Sequence, residues 1–92
     1  MTLTEPYITD VSRFQSLIDT PNPIHMDWEK AYDAGIRVGF IRWTVGNYYI
    51  DPEREEHWSR AKAAGVICSP YHVLTPEYSA QSQFDWFKKN FK

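Results

Sequence analysis

Polar side chains that could bind a ligand follow three apolar segments of the sequence. They combine a carboxylate, hydroxyls, an imidazole, a guanidinium and aromatic rings. They are Asp10, Ser12, Arg42, Thr44, Tyr49, Tyr71 and His72. Such a set suits a sugar, because sugar hydroxyls need hydrogen-bond partners and sugar C–H faces stack on aromatic rings. The chemistry that these residue types indicate is carbohydrate binding.

Some of these residues also have a plainer structural interpretation. Asp10 interrupts the segment "YITDVSRF", whose apolar residues are typical of a buried element, and a buried carboxylate needs a partner. Asp10 is therefore either the cap of a turn or part of a site. His72, which lies among apolar residues, could be a hydrogen-bonded core histidine. Tyr48 and Tyr49 could simply pack within a loop.

A repeat of thirty positions organises the middle of the chain. The segments "WEKAYDAGIRV" and "WSRAKAAGVIC" begin at Trp28 and Trp58, and both follow the pattern W-x-x-A-x-x-A-G. Each predicts a helix with its tryptophan on the buried face. Each helix should end near its glycine, Gly35 or Gly65, where the backbone turns left-handed. A β-branched residue follows each glycine and predicts the start of a strand.

The full pattern predicts an α/β fold of three βα units. Strands are expected at about 7–12, 37–44 and 66–73, and helices at about 26–34, 52–64 and 79–91. Asp51 and Ser79 are the expected caps of the second and third helices. The third helix should carry an apolar stripe of Ala80, Phe84, Phe87 and Phe91. Alternating strands and helices predict a parallel sheet with two bare edges, and ligands bind such sheets at the carboxyl ends of their strands.

Composition excludes several classes of function. The chain has 92 residues, a net charge of −2 and no basic stretch longer than Lys88-Lys89, which argues against a nucleic-acid partner. Cys68 is the single cysteine, so no internal disulfide can form, and a small buried apolar role is expected for it. His25 and His57 are assigned to loop or helix surface. No spacing resembles a metal site, so neither a metal nor another cofactor is predicted. No secretory or membrane-spanning segment is apparent, so no membrane partner is expected.

Six segments, in order, resemble the N-terminal half of a glycoside hydrolase family 25 lysozyme. They are DVSRFQ, MDWEKAYDAGI, FIRWTVGNYYIDP, HWSRAKAAGV, PYHV and SAQSQFDWF. The corresponding family patterns are D-V-S-x-x-Q, a D-W helix ending in A-G, K-A-T-E-G with Y-x-D-P, A-K-x-A-G, a strand ending in Y-H, and S-A-x-x-Q-A-x-x-F. Each segment alone is a weak signal, but their order and spacing are specific and cover nearly the whole chain.

The resemblance implies a partial TIM-like (β/α) barrel and a muramidase that cleaves the β-1,4 bond between N-acetylmuramic acid and N-acetylglucosamine. The implied partner is the glycan strand of peptidoglycan. Synthesis in the cytoplasm and action at the bacterial cell wall, extracellular or phage-delivered, are expected. Asp10 corresponds to the acidic residue of the first strand and is the candidate catalytic residue. Tyr71 and His72 would line the groove, and Ser12, Arg42, Thr44 and Tyr49 complete the expected substrate-binding set.

Two departures from the family bear on activity. Val45 stands in "TVG" where relatives have glutamate, and the fourth-strand D-x-E motif, which supplies the expected proton donor, is absent. Because glycoside hydrolysis requires that acid, whose removal forfeits about 10²–10⁴ in rate, the chain alone is expected to be inactive. The alternatives are a non-catalytic glycan-binding or structural module, and an oligomeric half-barrel in which copies self-associate through open strand edges.

Overall fold

The computed structural model describes residues 7–91 of the chain, with the side chains of residues 8–91. Its strands are β1 (Tyr7–Val11), β2 (Ile36–Val45), β3 (Tyr49–Ile50) and β4 (Ile67–Val73), and its helices are α1 (Trp28–Asp33), α2 (Arg54–Ala64) and α3 (Ala80–Asn90). A 3-10 turn at Arg13–Gln15 follows β1. The three predicted strands and three predicted helices are present, each end within two residues of its expected position. The expectation of no signal peptide concerns an N-terminus that lies largely outside the described residues.

The sheet is mixed, with β2 at its centre. β1 and β4 pair with β2 in parallel, one on each side, and the short β3 pairs antiparallel with the end of β2. The prediction of a wholly parallel sheet was therefore wrong at β3. Gly46 has a φ of 58° and allows the chain to reverse directly after β2, as tight hairpins require.

The two faces of the sheet differ in their covering. Gly39, Ile41 and Trp43 alternate along β2 and are buried beneath the helices, as a period of two predicts. On the other face, Ile8 and Phe40 are exposed. We call this second face the bare face. Parallel sheets are usually covered on both sides, so an exposed apolar face is a notable feature of this fold.

The core lies between the sheet and its helices. It consists of Val11, Trp28, Ile41, Trp43, Ala61 and Val66. Trp28 occupies its predicted buried position, whereas Trp58 is half-buried at the margin, where its ring meets Trp43 edge-on at 5.5 Å. Ile8 and Phe14, which were predicted to be buried, are exposed. Burial also raises the pKa of the half-buried Cys68 thiol, in keeping with an unreactive packing role.

The helix ends agree with the predictions except at the start of α2. Gly35 and Gly65 adopt φ values of 112° and 97°, and the Ser79 hydroxyl caps α3 by accepting from the backbone N–H of Ser82 at 3.1 Å. Asp51 was predicted to cap α2, but the helix begins only at Arg54. The carboxylate of Asp51 has other partners, described below.

The outer part of the predicted stripe on α3 is not buried. Phe87 and Phe91 pack against the core, while Ala80 and Phe84 are exposed beside a cavity of about 270 Å³ next to β4. Ala80, Phe84 and Phe87 all line this cavity, so they share one side of the helix as predicted. The first two are exposed because β4 is an edge strand and no described element lies beyond it. Within residues 7–91, no helix has the length and apolarity needed to cross a membrane.

Candidate functional site

Three of the predicted site residues lie close together on the bare face, near the carboxyl ends of the strands. In the strand register, Asp10 of β1 lies opposite Phe40, and Arg42 of β2 lies opposite Tyr71 of β4. The Asp10 side chain is exposed and makes no hydrogen bond within residues 7–91. We call Asp10, Arg42 and Tyr71 the central cluster. It offers a free carboxylate, a guanidinium and a phenol to one ligand.

The phenol of Tyr71 is a hydrogen-bond donor at neutral pH. Burial raises the pKa of Tyr71, and the negative charge of Asp10 raises it further, against an opposing effect of Arg42. The hydroxyl reaches the backbone carbonyl of Val11 at 3.4 Å, which is a long contact for an O–H donor. The Tyr71 hydroxyl can therefore exchange this weak hydrogen bond for one to a ligand with little loss of free energy.

Arg42 is held by contacts on several sides. Its Nε donates to the Asp51 carboxylate at 2.8 Å, and its guanidinium lies 5.5 Å from the ring centres of both Phe14 and Tyr49. Cation–π contacts and a charge-assisted hydrogen bond restrict the side chain. Tyr49 thus contacts the central cluster through Arg42. A fixed guanidinium fork is suited to binding acceptor oxygens in pairs.

Asp51 is a hub, a fully buried acceptor for three donors, and not the cap of α2 that its sequence position predicts. One carboxylate oxygen accepts from Arg42 Nε and from the backbone N–H of Arg13 at 3.0 Å, and the other accepts from the backbone N–H of Glu53 at 2.8 Å. Its side chain is fully buried. The hub joins the loop after β1, the end of β2 and the start of α2. It therefore fixes the loops around the central cluster.

Ser12 organises the turn beside Asp10. Its hydroxyl accepts from the backbone N–H of Phe14 at 3.3 Å, while its own N–H donates to the Gln15 side chain at 2.6 Å. Ser12 and Gln15 form a capping box at the start of the 3-10 turn. The Ser12 hydroxyl is already bonded within the loop. A direct contact between Ser12 and substrate stays a prediction.

Thr44 and His72 bind each other at the ends of β2 and β4. His72 Nε2 lies 3.0 Å from the Gln83 amide oxygen, and Thr44 Oγ1 lies 2.8 Å from His72 Nδ1. Because an amide oxygen only accepts, the assigned tautomer carries its proton on Nε2, and the Thr44 hydroxyl donates to Nδ1. Both ring nitrogens are occupied, as in the core-histidine interpretation. Substrate contacts for Thr44 and His72 stay predictions.

Replacing Thr44 with valine tests the importance of this chain of hydrogen bonds. The variant keeps the shape but leaves the partly buried His72 Nδ1 without a donor, so we expect a loss of about 1–3 kcal/mol in the free energy of unfolding. Urea denaturation measures the loss. The control is Thr20→Val, because Thr20 is exposed. Equal midpoints for the two variants would contradict the assignment.

Both histidines that were assigned to the surface have buried partners. His57 is buried, accepts from Trp28 Nε1 at 3.1 Å through Nδ1, and donates from Nε2 to the carbonyl of Ser12 at 2.8 Å. The surface prediction was wrong for it. His25 is half-buried, and its Nδ1 lies 2.8 Å and 3.0 Å from the two oxygens of the buried Glu53. Both contacts attach loops near the site to α2.

Two D-x-E sequences occur in the chain, and both lie at helix starts. Asp27 caps α1 by accepting from the backbone N–H of Lys30 at 3.0 Å, and Glu29 is exposed on that helix. Asp51 and Glu53 are both buried. Neither pair lies on the bare face. Among the described residues, no three His, Cys, Asp or Glu side chains are placed to hold a metal ion.

Comparisons with known proteins agree with this architecture. The chain matches the family described as Glycosyl hydrolases family 25 over residues 9–92. It is 34% identical over 79 residues to the uncharacterized protein YegX of Escherichia coli (80% of this chain, 26% of YegX). It is 30% identical over 82 residues to Lysozyme M1 of Streptomyces globisporus (88% and 25%). A solved muramidase from Trichobolus zukalii has a TM-score of 0.73 and 34% identity, over 88% of this chain and 36% of that one.

The chain spans about a quarter of the length of these curated relatives. The match nevertheless extends across nearly all of the chain, in sequence and in fold, and it confirms the resemblance carried by the six ordered segments. This mixed α/β chain belongs to glycosyl hydrolase family 25.

Proposed function

We propose that this chain is part of a peptidoglycan-cleaving lysozyme of the muramidase type, and that it contributes one wall of the substrate groove. The observation that carries the proposal is the central cluster on the bare face. Family membership supports a glycan as the substrate class, and the carboxylate, guanidinium and phenol provide the polar contacts that sugar hydroxyl and acetamido groups need. On this proposal the protein acts at the bacterial cell wall.

We also propose that the three βα units form part of a (β/α) barrel whose interior is the bare face. Strands of such barrels direct alternate side chains inward, where they fill the interior. The exposed Ile8, Phe40 and Ile67 are side chains of that kind. The likeness to the muramidase from Trichobolus zukalii, of which this chain covers 36%, supports the proposal that the three units belong to a larger fold.

In the proposed mechanism, Asp10 supports the reaction without acting as the proton donor. Hydrolysis of a glycosidic bond needs one acid to protonate the leaving oxygen and a second group to stabilise or attack the anomeric carbon. Asp10 is exposed and lacks a described partner, so it fits the second role or the binding of a sugar hydroxyl. Arg42 and Tyr71 would orient the sugar. We propose that the acid lies outside this chain.

A non-catalytic glycan-binding module is the second candidate function, and Val45 favours it. This residue ends β2 opposite Tyr49 of β3 and Val73 of β4, at the edge where relatives have glutamate. A valine there can neither accept a hydrogen bond nor carry charge. The third possibility that we propose is an oligomeric half-barrel, in which copies of the chain associate through the open edges of β1 and β4.

Incubation with purified insoluble peptidoglycan tests the proposed function. We expect the chain to sediment with the glycan and to release no reducing ends. Asp10→Asn and Tyr71→Phe should each weaken binding by about two- to tenfold, since each loses a hydrogen bond worth about 0.5–1.5 kcal/mol.

Tyr32→Phe is the matched control, because its ring packs under Arg37, 3.5 Å from the guanidinium carbon, away from the cluster. Binding that survives both cluster variants unchanged would contradict a site on the bare face. Release of reducing ends by the chain alone would contradict the external acid.

A further inference from the structure

Two exposed tyrosines lie together beyond the strand ends, outside the central cluster. Tyr48 is 58% exposed and Tyr78 is 44% exposed, and their ring centres lie 5.8 Å apart with the planes inclined at 57°. Tyr48 belongs to the turn after β2, and Tyr78 to the loop after β4. We call them the tyrosine pair. Two adjoining rings in water form an apolar surface that a ligand can cover.

The ring of Tyr48 is held in place by a glycine. A Cβ atom built on Gly46 would lie only 2.4 Å from the Tyr48 ring, so the ring occupies space that any other residue would fill. The φ of 58° at Gly46 also favours glycine. The N–H of Gly46 donates to the carbonyl of Val73 at 3.0 Å, which fixes this turn to the end of β4.

The loop that carries Tyr78 is equally constrained. The side-chain amide of the buried Gln83 donates to the carbonyls of Tyr78 at 3.0 Å and Thr75 at 2.8 Å. The Asn47 amide donates to the Ser82 hydroxyl at 3.3 Å and joins the turn after β2 to the first turn of α3, which follows the Tyr78 loop. The backbone at both tyrosines is therefore held by hydrogen bonds before any ligand binds. Binding a ligand there should lose little conformational entropy of the loops.

The surroundings of the tyrosine pair suit a sugar ring. Aromatic faces accept the C–H face of a sugar, while neighbouring polar groups bond its hydroxyls. Here Asn47 directly precedes Tyr48 and bonds the Ser82 hydroxyl, and the Asn47 amide oxygen, which makes no hydrogen bond within the described residues, can accept one. Val45 and Val73, the last residues of β2 and β4, are paired, so the tyrosine pair and the central cluster share one edge of the sheet.

We propose that the tyrosine pair binds an additional N-acetylhexosamine residue of the glycan strand, beyond the sugar held at the central cluster. The proposal rests on the proposed function, because it extends the same groove along a linear polymer. It assigns Tyr48 and Tyr78 to binding and not to the reacting bond.

Titration with a soluble β-1,4-linked N-acetylglucosamine oligosaccharide, followed by calorimetry, tests the proposal. Tyr48→Ala and Tyr78→Ala should each weaken the Kd by about three- to tenfold, as expected for the loss of one aromatic stacking partner. The matched control is Phe84→Ala, since Phe84 is also an exposed aromatic residue near β4 but lies outside the pair. It should change the Kd by less than about twofold. Circular dichroism verifies that each variant is folded.

The inclusion of Tyr71→Phe separates this proposal from the proposed function. If Tyr71→Phe weakens binding and both tyrosine-pair variants bind as the original chain does, the tyrosine pair is not a sugar contact and the central site stands. If only the tyrosine-pair variants weaken binding, the pair is supported and the central site fails. If the unmodified chain does not bind the oligosaccharide, both proposals fail. A drop in solution mass in the alanine variants, without an effect on binding, would assign the pair to contacts between copies and overturn the proposal.

Discussion

Replacing Asp51 with alanine is expected to lower the free energy of unfolding by about 3–5 kcal/mol, because it removes a fully buried carboxylate and leaves the largely buried Arg42 side chain without its charged partner. The backbone N–H groups of Arg13 and Glu53 lose their acceptor at the same time. A domain of this size has only about 5–15 kcal/mol of stability. Urea denaturation should therefore show a midpoint far below that of the unmodified chain.

Asp19→Ala is the control for this experiment. Asp19 also pairs with an arginine, Arg13, but it is largely exposed, and surface ion pairs contribute only about 0–1 kcal/mol. Similar midpoints for the Asp19 and Asp51 variants would contradict the hub. A double-mutant cycle adds a second criterion. Arg42→Ala should cost less in the Asp51→Ala background than alone, because the buried charges are then removed together.

The second large effect is expected at Trp28. Its ring is buried against β2, where a Cβ on Gly39 would approach it to 3.0 Å, and its Nε1 donates to His57. Trp28→Ala should cost about 3–5 kcal/mol through the loss of packing. At about 4 °C or more for each kcal/mol, thermal unfolding should show a Tm at least about 12 °C lower.

Trp28→Phe separates packing from hydrogen bonding. It keeps much of the apolar volume but leaves His57 Nδ1 buried without a donor, so a loss of about 1–3 kcal/mol is expected. A phenylalanine variant as stable as the original would show that the bond to His57 contributes nothing. An alanine variant within about 1 kcal/mol of the original would contradict a core position for Trp28.

Local signals in the sequence were sufficient for most of the fold. The two repeats that run from a tryptophan to a glycine predicted α1 and α2. The spacing of buried residues along a helix and the left-handed residue at its end are both set by the local sequence. β3 was missed because two residues carry too little pattern. Trp58 follows the same repeat as Trp28 but is only half-buried, since it lies at the margin beside Phe91. That difference depends on tertiary position.

The composition of the candidate site could be predicted where strand register alone brings its residues together. Asp10, Arg42 and Tyr71 lie together because parallel strands bring their carboxyl ends to one edge. The roles of Asp51 and His57 could not be predicted in the same way. Their partners Arg13 and Ser12 are 38 and 45 positions distant in the chain, and the local sequence of each was equally compatible with a helix cap or a surface position.

The Asp51 hub has a consequence for protein engineering. Two of its three donors are backbone N–H groups, of Arg13 and Glu53, and only Arg42 contributes a side chain. The identity of residue 13 is therefore open to exchange for any residue that keeps its backbone N–H, whereas Glu53, which also bonds His25, the loop lengths and the Arg42–Asp51 couple are not. Libraries that diversify the loops around the central cluster should keep chain length and this couple fixed, and vary the remaining positions to select new ligand specificities.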